Sequence, residues 1–92
     1  MVKRNEEEIV VERTQTGVRI EKRLLKVLKA LADYYDITLG DLLEGIVLHA
    51  LEGKPPFSKA TRARIAELRK AFGLTLTVSN APQLKERAGR RG

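Results

Sequence analysis

Residues Thr14, Gln15, Thr16, Gly17, Val18, Arg19 and Ile20 alternate like a strand, and two amphipathic helical patterns follow at once with no second strand beside them. Thr14, Thr16, Val18 and Ile20 share one face, turning apolar toward Ile20, while Arg13, Gln15, Gly17 and Arg19 share the other, polar face. A lone strand can neither pair its own N–H and C=O groups nor cover its apolar side. The pattern therefore predicts a second copy of the chain, the two strands pairing antiparallel into a ribbon on a core of four helices. Gly17 is costly inside a strand unless another backbone or a ligand comes close.

Size points the same way. The well-patterned part, from about Thr14 to Leu51, is shorter than about 40 residues, where a chain usually needs a disulfide, a metal or a partner to hold together. There is no cysteine and a single histidine, His49, which rules out disulfides and thiolate metal sites and leaves association as the staple. No metal or other cofactor is expected. His49, among aliphatics, reads as an edge or interface residue. The N-terminus is charged, not apolar, and no apolar run nears the ~20 residues of a membrane span. The expectation is a cytoplasmic chain without a membrane segment.

The first helix is predicted from Glu21 or Lys22 to Tyr35. Leu24, Leu28, Leu31, Ala32 and Tyr35 line its inner face, and Lys22, Arg23, Lys26, Lys29 and Asp33 its outer side. Asp36 stands at the turn, where it tolerates a left-handed backbone better than most residues. The second helix starts at Thr38, which with Asp41 resembles a capping box. Leu39, Leu42, Leu43, Ile46, Val47, Ala50 and Leu51 give it an apolar face too broad for one short helix to cover, which again argues for an interface. Gly53 and Pro55-Pro56 end it. A third helix is predicted from Ser58 to Phe72 with a stripe of Thr61, Ile65, Leu68 and Phe72, closed by Gly73. Leu74 to Val78 alternates like a short strand, and residues 80–92 read as a basic, disordered tail.

The net charge is +6, unevenly placed. Residues 53–92 hold ten bases and two acids, Glu67 and Glu86, while the rest of the chain is close to neutral. Such an excess suits a polyanionic partner, or serves only to solubilise. Four aromatic residues are too few for recognition of single strands by stacking.

The block from Thr14 to Leu51 resembles the ribbon-helix-helix family of DNA-binding proteins. The resemblance lies in V-R-I at the strand end, L-L-K-V-L-K-A-L-A in the first helix, D-I-T-L-G-D-L-L at the turn, and I-V-L-H-A-L at the end, about 38 of the 92 residues. It implies a mainly α fold: an obligate dimer with an intermolecular two-stranded antiparallel β-ribbon, extended here by a C-terminal helix, a short strand and a basic tail. The domains would be an arm (1–13), the ribbon-helix-helix unit (14–52), a helix and short strand (53–79) and the tail (80–92).

The resemblance also implies that the ribbon enters the major groove of double-stranded DNA with Gln15, Gly17 and Arg19 on base edges. Arg pairs with guanine and Gln with adenine, whereas Gly17 offers no side chain and departs from the family pattern. Phosphates would be held by Arg13 and by Thr38, Leu39 and Gly40 at the start of the second helix, where free N–H groups and the helix dipole favour an anion. Lys85, Arg87, Arg90 and Arg91 would add backbone contacts. The expected function is a dimeric, sequence-specific repressor, cytoplasmic and nucleoid-associated, with dimers able to assemble further. One alternative is an antitoxin-like module that binds a protein partner through residues 58–79. Another is a nonspecific architectural or RNA-binding protein. With no nucleophile–base pair, metal cluster or phosphate-cradling glycine loop, the chain does not read as an enzyme.

Overall fold

A computed structural model describes residues 8–85. Within them the chain forms α1 (Lys22–Tyr34), α2 (Leu39–Leu51), α3 (Lys59–Phe72) and a short 3-10 helix, Val78–Gln83. The caps explain the starts. Glu21 accepts the Leu24 amide at 2.8 Å, Thr38 the Asp41 amide at 3.0 Å and Ser58 the Thr61 amide at 3.2 Å. All three helices end alike. Asp36, Gly53 and Gly73 take φ of 57°, 72° and 67°, and the next amide (Ile37, Lys54, Leu74) bonds back to the carbonyl of Ala32, His49 or Arg69. This motif satisfies carbonyls that the helix leaves without partners.

α1 sits at the centre and packs against both other helices. Its one-sided pattern delivers Leu31 (1% exposed) and Ala32 to the core, where Leu42 of α2 meets them. Leu28, Ile46, Phe57, Ile65 and Leu68 pack around that cluster. α1 and α3 run antiparallel and are tied at both ends. Arg23 Nη1 donates to the Gly73 carbonyl at 3.1 Å, and at the other end the Tyr35 and Thr61 hydroxyls are 2.6 Å apart. Arg64 lies 4.1 Å over the Tyr34 ring and donates to its hydroxyl at 2.9 Å.

Two expected elements are absent. No strand and no β-ribbon occurs among the described residues, so the ribbon-helix-helix architecture is not the fold of this chain. Residues 8–20 run without regular structure, and from Glu8 to Arg19 every residue is exposed, Val18 at 71%. The physical reason is the one that makes a lone strand unfavourable: no neighbouring backbone offers a ladder, so the amides and carbonyls turn to water. Gly17 has nothing within 4 Å of where a Cβ would stand, so no close approach to it is made among the described residues. The strand expected at 74–78 is also not formed. Leu74 is buried directly after the α3 cap, the Leu76 carbonyl accepts from Arg69 Nη2 at 2.9 Å, and Thr77 with Asn80 makes a reciprocal cap that starts the 3-10 helix. Local side-chain bonds from Thr77, Ser79 and Asn80 outcompete an alternation that has no partner edge. The expected tail begins as structure, since residues 80–83 belong to that 3-10 helix. No helix of the described chain is long and apolar enough to cross a membrane.

Candidate nucleic-acid interface

Exposed cations recur along two of the helices. On α1, Lys22, Lys26 and Lys29 recur at steps of four and three residues, which places them in one row along the exposed side. α3 carries Lys59, Arg62 and Lys70, and Lys85 follows the 3-10 helix. All seven are exposed, and the ion pairs of the described chain use other bases. The remaining basic residues of the helices are committed to the fold: Arg23 to Glu21 and Gly73, Arg64 to Glu67 and Tyr34, and Arg69 to Leu76. Sequence reasoning placed the α1 lysines on the outer side but did not count them, or the α3 cations, as site residues. Their helical spacing was the available signal.

The expected base-reading residues Gln15, Gly17 and Arg19 lie on the irregular exposed segment, reachable from solvent but not lined up by a sheet. Arg13, expected on a phosphate, is engaged within the chain. Its Nε and Nη2 donate to the two carboxylate oxygens of Glu44 on α2, each at 2.8 Å, and Asp41 Oδ1 lies 3.7 Å from Nη2. That contact holds the Glu44 carboxyl below the ordinary range, chiefly through its hydrogen bonds to Arg13, and raises the guanidinium value. Sequence reasoning missed Glu44, since 31 residues separate it from Arg13 and no local pattern links them.

At the start of α2, Thr38 and Gly40 are exposed and Leu39 is half-buried. The Thr38 hydroxyl serves as the cap. Asp41 leaves the second half of the expected capping box unmade, and its carboxylate turns toward Arg13. The first amides of α2 remain available to an anion by geometry, but the carboxylates of Asp41 and Glu44 stand close by, with Arg13 between them. This end of α2 is therefore a weaker phosphate site than Thr38, Leu39 and Gly40 suggested. Arg87, Arg90 and Arg91 lie outside the described residues.

After Glu44 the exposed face of α2 turns apolar along the same side of the helix, and it is uncovered. Val47 is 51% exposed, Leu48 62% and Leu51 78%. The stripe on α3 expected to meet a protein partner points inward instead. Thr61 meets Tyr35, Ile65 and Leu68 pack on the core, and Phe72 stays at the surface. His49 bonds the Gly45 carbonyl of its own helix at 2.7 Å. Tyr35, expected on the inner face of α1, is exposed together with its neighbour Tyr34, and the two rings meet edge to face. No group of three or more His, Asp or Glu among the described residues could hold a metal ion. Compared with protein families, with curated proteins and with solved structures, the chain matches none of them.

Proposed function

We propose that this chain is a homodimeric, sequence-specific DNA-binding protein that acts as a transcriptional repressor in the cytoplasm, at the nucleoid, and performs no catalysis. The observation that carries the reading is the set of exposed cations on α1 and α3, joined by Lys85, none of which the fold uses. Phosphate contacts of this kind supply most of the affinity for duplex DNA and fix orientation without reading sequence. The tail residues Arg87, Arg90 and Arg91 extend that charge. Sequence is read by the exposed segment before α1, through Arg19 on guanine and Gln15 on adenine. Irregular arms elsewhere reach DNA grooves without belonging to a sheet. The uncovered α2 face supplies the dimer contact, because burying Val47, Leu48 and Leu51 against their counterparts removes apolar surface from water.

The antitoxin-like alternative draws less support, since the α3 stripe it needs is packed against α1. The test is binding to the gene's own upstream duplex and to a scrambled duplex across a salt series. The proposal expects preference for its own DNA that survives physiological salt, above a nonspecific component whose affinity falls by roughly 10³-fold or more between 50 and 200 mM salt. Equal affinity for both duplexes at every salt would favour an architectural role, and no binding would overturn the DNA reading.

A further inference from the structure

Arg13 and Glu44 join the segment that carries the proposed base contacts to the helix that carries the proposed dimer contact. The pair closes a loop: Arg13 is fixed on α2, Glu21 begins α1 as its cap, and Gln15, Gly17 and Arg19 lie on the residues between. The bond is two-pronged, with Nε and Nη2 each 2.8 Å from a different oxygen of one carboxylate. That is the geometry with which arginine also grips a phosphate. One guanidinium edge cannot serve Glu44 and a DNA phosphate at once.

We propose that Glu44 is an intramolecular phosphate mimic: it holds Arg13, and with it the base-reading segment, against α2 in the free protein, and a DNA phosphate must displace it for full binding. The inference rests on the DNA-binding reading and adds a regulated step to it. Asp41, 3.7 Å from the same nitrogen, deepens the acidic seat without making the bond. The clasp is exposed at both ends, Arg13 and Glu44 side chains being 61% and 47% accessible, so its hold is modest and open to competition by mass action. DNA thus meets two populations. In the clasped form the segment is tied down and Arg13 is spent. In the open form Arg13 adds one phosphate contact per chain and the segment is free to follow the groove. This is a bias on specificity, since nonspecific contacts through the α1 and α3 lysines do not need the clasp to open.

A double-mutant cycle tests it, because removing an acid near DNA tightens binding to some extent for purely electrostatic reasons. Wild type, Glu44→Gln, Arg13→Ala and the double variant are compared on the gene's own duplex and on a heparin column. Glu44→Gln is expected to bind the duplex about three- to tenfold more tightly than wild type, with a steeper salt dependence. In the Arg13→Ala background the same change is expected to give at most about twofold. Backbone order of residues 9–19, read by NMR relaxation, is expected to fall in Glu44→Gln and in Arg13→Ala alike. An equal gain in both backgrounds, or a loss of affinity in Glu44→Gln, overturns the clasp. Coupling kept on heparin with no binding of any form to duplex DNA overturns the DNA reading and leaves the competition for a polyanion standing. Loss of coupling on both overturns the clasp itself.

Discussion

α1 and α2 are each 13 residues long but are finished to different degrees. α1 is apolar on one side and charged on the other, and its inner face meets α3 along its length, with hydrogen bonds near both ends. α2 is mostly aliphatic, with Asp41, Glu44 and His49 interrupting its exposed side, yet Leu42 is its one buried residue. The contrast teaches where the chain is complete in itself. A helix whose apolar stripe is covered by its neighbours is satisfied within the chain. A helix apolar on two sides is satisfied on one and leaves the other to something outside.

The largest effect expected from this contrast is in the core. Leu31→Ala should destabilise the chain by about 2–5 kcal/mol in urea unfolding, the range for emptying a packed leucine site. Leu51→Ala at dilute monomer concentration should cost under about 0.5 kcal/mol, as for other exposed sites. Equal costs would show that α2 is as well packed as α1. Next, Leu48→Asp should leave helix content intact by circular dichroism while abolishing self-association, since a charge at 62% exposure is harmless in the monomer and costly when desolvated between two copies. A folded variant that still self-associates would move the interface off α2.

Smaller effects sharpen the description of the α1–α3 pair. Tyr35→Phe removes its hydroxyl contact to Thr61 and should cost about 0.5–1.5 kcal/mol, less than Leu31→Ala, in the same urea series. The smallest effect is at the α1 cap. The Leu24 amide, more than any other group, holds the Glu21 carboxyl below its ordinary value. The unfolded value lies near 4.3. The stabilising contribution is therefore present above that pH and disappears as pH falls through the lower, folded value. Thermal midpoints of wild type and Glu21→Gln should differ at pH 7 and converge on acidification. A gap that persists at pH 2 would mean that the carboxylate charge is not what makes the cap.

Much of this was legible in the sequence because it depends on near neighbours. The three helices, the Thr38 and Ser58 caps and the glycine ends come from spacing and from residues with special backbone freedom. Even Asp36, at φ 57°, sits where the turn was expected. What failed depends on distant partners. The alternation at 14–20 and at 74–78 matches strand period, but period does not create a neighbouring edge. In the first case the segment stays irregular, and in the second Thr77 and Asn80 bond locally. Tyr35 was placed on the inner row by period alone and emerges 40% exposed, tied by its hydroxyl at the rim. The engagement of Arg13 by Glu44 was invisible for the same reason, and it changes the meaning of a residue whose type suggested a phosphate contact.

Sedimentation equilibrium of the full chain, free and mixed with the gene's own labelled upstream duplex at physiological salt, tests the central claim most directly. The account predicts a free species of twice the 10.3 kDa chain mass and a complex with an even number of chains per duplex. A free species of one chain mass at micromolar concentration, with no shift of the duplex, would contradict it.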